Sequence, residues 1–101
     1  MTGDRAVVVR YETRADTAQD NQALVEGVYA ELAAQDPGGL RYLTLRLADG
    51  VTFVHIAIVD GPDNPLTSSP AFARFQDGIA ERCSVPPMPS QATVVGSYGI
   101  F

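Results

Sequence analysis

Residues Tyr42 to Val59 read YLTLRLADGVTFVHIAIV. Two runs rich in aliphatic, β-branched and aromatic residues flank Asp49-Gly50, a dipeptide that tight hairpin turns favour because Gly accepts a positive φ. With the turn there, Leu47 opposes Thr52, Leu45 opposes Val54 and Leu43 opposes Ile56. Those six share one side of the ribbon, because successive side chains alternate in direction. The other side carries Arg46 beside Phe53, Thr44 beside His55 and Tyr42 beside Ala57. The aliphatic side suits packing against helices. The mixed side is neither a solvent face nor an ordinary apolar core face.

Working outward, RAVVVRYE predicts a first strand. The segment ADTAQDNQALVEGVYAELAAQD places Leu24, Val28 and Leu32 four apart with Val25 beside them, the stripe of an amphipathic helix. Asp16 or Thr17 supplies a capping oxygen at its start, and Pro37-Gly38-Gly39 ends it. After the turn-rich DGPDNPLTSS, Ser69-Pro70 is an N-cap followed by proline at the first helical position. Phe72, Phe75 and Ile79 then recur at helical spacing, extended by Cys83. The prolines of SVPPMPS predict an irregular connector, and ATVVGSYGIF predicts the last strand.

The order is β-α-β-β-α-β, an α+β, ferredoxin-like arrangement expected to fill residues 1–101 as one domain. Right-handed crossovers put both helices on one face of a four-stranded antiparallel sheet. Strand one adds either Val7, Val9 and Tyr11 or Ala6, Val8 and Arg10 to the uncovered face, and both choices are largely apolar. An exposed apolar sheet face of that size is uncommon in monomers, so the expectation is a homodimer closed through the mixed face.

Composition narrows the function classes. The 101 residues carry seven basic and twelve acidic side chains, a formal net charge of −5, and the basic residues are scattered singly. Nucleic-acid binding needs clustered Lys and Arg to neutralise phosphates, so that partner is not expected. No window reaches the roughly 20 apolar residues of a membrane span, and the N-terminus has no long apolar run. One cysteine cannot form an internal disulfide; a cytoplasmic protein is the expectation.

The order of elements and the mixed face, carried by AVVVRYETR, by the helix running into DPGGLRYLTLRLADG, and by FVHIAIVDG followed by PAFARFQDGIAERC, resemble the dimeric α+β barrel superfamily. Within it, the chain is most similar to antibiotic biosynthesis monooxygenase-like domains. The resemblance covers nearly the whole chain. It implies a dimeric barrel and a range of activities that includes cofactor-independent oxygenation of polyketide quinols, haem degradation and cyclisation. Several oxygenase and haem-degrading members use a tryptophan; this chain has none.

Among the residues themselves, His55 is the sole histidine and a candidate general base or hydrogen-bond donor. Arg46 is a candidate for holding a carboxylate or stabilising an oxyanion, or else for a salt bridge at a dimer rim. Tyr42, Thr44 and Phe53 complete a candidate substrate-binding face, with an aromatic small molecule as the occupant. Phe72 and Phe75 are core candidates that could also wall a pocket at the sheet–helix seam. Cys83 reads as a packing residue. Asp60, Asp63 and Asn64 lack calcium-loop spacing, and one His and one Cys cannot make a zinc site, so neither metal nor cofactor is expected. No nucleotide or hydrolase fingerprint occurs. Two functional classes remain, a cofactor-independent monooxygenase or cyclase and a non-catalytic binding or interaction protein; an amino-acid-sensing module of the same element order would normally be fused to an effector domain, for which 101 residues are expected to leave no room.

Overall fold

The structure is a computed structural model that describes residues 4–99. Strand β1 spans Asp4–Thr13, helix α1 Ala18–Gln35, β2 Leu40–Arg46 and β3 Thr52–Asp60. Helices α2 (Pro70–Gln76) and α3 (Ile79–Arg82) precede β4 (Cys83–Ala92). The four strands form one antiparallel sheet in the order β2-β3-β1-β4, so the β-α-β-β-α-β order of the sequence is that of the fold. No helix among the described residues is long and apolar enough to cross a membrane.

The hairpin register is the expected one, with Leu43 opposite Ile56, Thr44 opposite His55 and Arg46 opposite Phe53. Asp49 secures the turn by accepting from the backbone N–H groups of Val51 and Thr52 and from the Thr52 hydroxyl. Gly50 supplies the positive φ of 80°.

The assignment of faces is the reverse of the expectation. The aromatic and histidine-bearing side packs against the helices: Tyr11 and Phe53 are buried with Val25 and Val28 of α1 and Ala71 and Phe75 of α2. Val7, Val9 and Tyr11 share this side, opposite Ala57, His55 and Phe53. Leu43, Leu45, Val54 and Ile56 instead lie on the helix-free side with Val8, and Leu45 is 43% exposed. Rings from both layers meet on this side, Tyr11, Tyr42 and Phe53 from the strands and Tyr29, Phe72 and Phe75 from the helices. Tyr11 and Phe53 stack with centroids 5.5 Å apart, and burying each ring contributes about 2–3 kcal/mol.

Three further expectations are corrected. The connector SVPPMPS is not irregular but forms most of β4, while residues 93–99 of the expected last strand lie outside regular structure and 100–101 lie outside the described residues. Prolines are tolerated because β4 pairs only with β1 and leaves its other edge open, and Pro86 and Pro87 fall where the register shifts between Val85 and Met88. The second helical stripe is broken at Gly78, whose φ of 77° separates α2 from α3. In α1, Thr17 is the N-cap residue, but its hydroxyl donates to the carbonyls of Arg14 and Arg82 rather than capping the helix.

Candidate functional site

A cavity of about 430 Å³ lies between the helix-facing side of the sheet and α2. Tyr11, Tyr42 and His55 reach it from three neighbouring strands, and Leu66, Phe72 and Phe75 wall it from the opposite side. The seam pocket considered for Phe72 and Phe75 therefore exists. Alternation along β3 decides which side chains enter: His55, Ala57 and Val59 point in, and Val54, Ile56 and Ile58 point away.

Helix α2 is held over the cavity by its N-terminus. Ser69 accepts from the Phe72 N–H, and Glu31 of α1 accepts from both the Ser69 hydroxyl and the Ala71 N–H, at 2.6 and 3.1 Å. An acceptor from the side chain satisfies groups that the first turn leaves unpaired, and a carboxylate there is favoured by the helix dipole.

His55 is buried and bonded at both ring nitrogens. Nε2 lies 2.8 Å from the Tyr11 hydroxyl, Nδ1 lies 2.6 Å from the Tyr42 hydroxyl, and Thr44 Oγ1 lies 3.2 Å from Nδ1. Thr44 also bonds the Tyr29 hydroxyl at 2.8 Å, and the Tyr29 and Tyr42 rings stack at 5.1 Å. Burial pushes the imidazole pKa down from 6.5 to about 4, so His55 is neutral near pH 7. Burial pushes the Tyr11 hydroxyl up to about 12 and raises Tyr42 as well, keeping both phenols protonated. The cluster is thus an uncharged donor–acceptor chain set in an apolar wall.

Of the residues singled out in the sequence, Tyr42, Thr44 and His55 come together, and Phe53 supports them through Tyr11. Arg46 does not join them. Its guanidinium is exposed, donates to Gln22, Gln19 and the Gly50 carbonyl, and lies 5.6 Å from the Phe53 centroid on the side away from the cavity. Its position at the end of β2 puts it beside the first turns of α1. Cys83 is half-buried, and burial raises its thiol pKa, the opposite of an activated nucleophile.

Sequence reasoning missed Asn21 and Arg82. Asn21 is fully buried, donates to the Tyr11 hydroxyl at 2.8 Å and accepts from Arg82 Nε at 3.0 Å. A signal existed for Asn21: it precedes Val25 by four positions and so falls on the buried stripe of α1, where an unpartnered amide is costly. Arg82 carried no such signal.

No family model matches the chain, and no curated protein matches it in sequence. Solved structures do match in fold. An antibiotic biosynthesis monooxygenase-like protein of Nitrosomonas europaea superposes with a TM-score of 0.75 over 98% of this chain and 97% of its own, at 14% identity. The chain has the ferredoxin-like fold of the antibiotic biosynthesis monooxygenase-like proteins. SnoaB, a cofactor-independent oxygenase from Streptomyces nogalater, matches with a TM-score of 0.69 over 97% of this chain and 99% of its own, at 16% identity. A Mycobacterium tuberculosis protein matches with a TM-score of 0.71 over 93% and 97%, at 19% identity.

Proposed function

We propose that this chain is a cofactor-independent monooxygenase acting in the cytoplasm on an aromatic or polyketide-like small molecule held between the sheet and α2. The observation that carries this reading is the apolar, aromatic-walled cavity into which a buried Tyr11–His55–Tyr42 chain is set. The shared fold with an oxygenase from Streptomyces nogalater supports it.

The chemistry needs little from the protein. An electron-rich phenol or enol enters as its anion, its proton left in bulk water, and passes one electron to O₂; the carbon radical and superoxide combine to a peroxide anion, which takes up a proton and loses water to leave a carbonyl. A CH₂ group becomes C=O, and the second oxygen atom leaves as water. The protein's part is to orient the ring, exclude bulk water and hold the developing oxyanion. Tyr42 is the residue assigned to that oxygen, with neutral His55 and Thr44 fixing its hydroxyl. Phe53 holds Tyr11 in place from outside the cavity. Arg46 has no part in this site.

Protomers are inferred to pair through the helix-free face, where Val8, Leu43, Leu45, Val54 and Ile56 offer an aliphatic surface. The interior of such a barrel is aliphatic, and the ligand site lies within each protomer.

A second reading, a non-catalytic small-molecule carrier, is favoured by one feature: both nitrogens of His55 are already bonded within the chain. One experiment separates the two. The purified protein is incubated in air with anthrones, naphthols and quinols, with oxygen uptake and product mass as readouts. Oxygen uptake with gain of one oxygen and loss of two hydrogens supports the oxygenase. Saturable binding without turnover supports the carrier, and the absence of both overturns the cavity as a ligand site.

A further inference from the structure

The hydrogen bonds around His55 form a directed chain. Arg82 Nε donates to Asn21 Oδ1 at 3.0 Å, Asn21 Nδ2 donates to Tyr11 Oη at 2.8 Å, Tyr11 Oη meets His55 Nε2 at 2.8 Å, and His55 Nδ1 meets Tyr42 Oη at 2.6 Å. A guanidinium can only donate. The carbonyl oxygen of Asn21 must therefore face Arg82, and its NH₂ must face Tyr11.

Two proton arrangements remain for the neutral imidazole. In one, Tyr11 donates to Nε2 and the ring proton sits on Nδ1. In the other, Nε2–H donates to Tyr11, which then accepts twice while its own hydroxyl hydrogen has no acceptor. Tyr11 is 1% exposed, so that hydrogen would be stranded away from water. A stranded donor of this kind disfavours the second arrangement by roughly tenfold or more.

We infer that Arg82 and Asn21 fix the tautomer of His55, holding its proton on Nδ1 and making Tyr42 the hydrogen-bond donor to the occupant of the cavity. Nδ1–H donates to Tyr42, with Thr44 as a second acceptor at 3.2 Å. The Tyr42 oxygen thus accepts from the ring, and its own hydrogen is left to donate to an acceptor that enters the cavity. The cavity then prefers a molecule presenting a carbonyl, phenolate or enolate oxygen over one presenting only a donor. This preference rests on the cavity being a substrate site; the tautomer does not. Asn21 and Arg82 do not line the cavity and act as positioning residues.

The test is long-range ¹H–¹⁵N NMR at neutral pH on untagged, ¹⁵N-labelled protein, in which the one histidine gives an unambiguous pattern. The wild type is expected to show a protonated, pyrrole-type Nδ1 and a pyridine-type Nε2. Asn21→Asp, nearly isosteric, replaces the donating amide by a carboxylate that accepts from both Arg82 and Tyr11. It is expected to reverse the chain and move the proton to Nε2. A merely structural role for Asn21 predicts no such exchange. A wild type protonated on Nε2, or an Asn21→Asp protein with the wild-type pattern, overturns the inference. Should Asn21→Asp fail to fold, Arg82→Met frees the Asn21 amide to flip and is expected to give averaged shifts; an unchanged pattern overturns the part assigned to Arg82. The measurement needs no ligand, so its failure would leave the oxygenase reading standing, and the failure of that reading would leave the tautomer.

Discussion

Tyr11 Oη lies 2.8 Å from His55 Nε2, although the two residues are 44 positions apart in the chain. Antiparallel pairing of β1 with β3 sets Val9 opposite His55, so Tyr11 reaches the imidazole diagonally along the same face. This contact and the one to Tyr42 bond both ring nitrogens within the chain, and burial keeps the imidazole neutral.

That neutrality has a pH signature. The folded pKa of about 4 lies below the ordinary 6.5, so the unfolded chain binds more protons between these values and stability rises with pH across that window. The contribution is fully present above pH 6.5 and is lost as pH falls toward 4, with a full size of about 3 kcal/mol. Thermal unfolding of wild type and His55→Gln at several pH values checks it: the variant is expected to show a flatter dependence between pH 6.5 and 5, above the range where carboxylates dominate.

Phe53 is buried against the helices, so Phe53→Asp removes a core ring and strands a carboxylate inside the protomer. The expected loss is about 4 kcal/mol or more, enough to leave much of the chain unfolded by circular dichroism. Leu45→Asp falls on the helix-free face and is expected to leave the protomer folded while shifting the chain from dimer to monomer in light scattering. A folded, dimeric Leu45→Asp protein would count against pairing through that face.

Tyr42→Phe keeps the ring stacked on Tyr29 but deletes the hydroxyl at the cavity. Turnover or affinity for an oxygen-bearing aromatic ligand is expected to fall about 10- to 100-fold, the loss of one hydrogen bond to a charged or developing oxyanion. Arg46→Met, which alters an exposed residue outside the cavity, is expected to change neither measurably. Parallel steady-state or titration measurements on the two variants decide between them.

Glu31→Ala removes the acceptor shared by the Ser69 hydroxyl and the Ala71 N–H. A loss of about 1–2 kcal/mol is expected in urea unfolding. Because α2 walls the cavity, amide exchange within Pro70–Gln76 should quicken more than in β1 or β3.

Much of this protein was set locally. The hydrophobic spacing of α1, the Ser69-Pro70 helix start and the Asp49-Gly50 turn gave the order of elements and the pairing of Thr44 with His55, because caps, turns and side-chain alternation act between near neighbours. His55, Tyr42 and Thr44 could be grouped for the same reason: cross-strand neighbours follow from register.

Which side of the hairpin meets the helices could not be read locally, since both sides carry apolar residues. That choice depended on packing between layers, where rings of β1 and β3 meet those of α1 and α2. The same limit hid β4, whose prolines argue against a strand unless that strand lies at an edge, a position fixed only by the order β2-β3-β1-β4. It also hid Arg82, which reaches Asn21 across 61 positions. Sequence alone determined the first three strands, the long helix and the pairing within the hairpin; tertiary packing decided where β4 lies and which face became the site, because the free energy of burial depends on all the surfaces brought together.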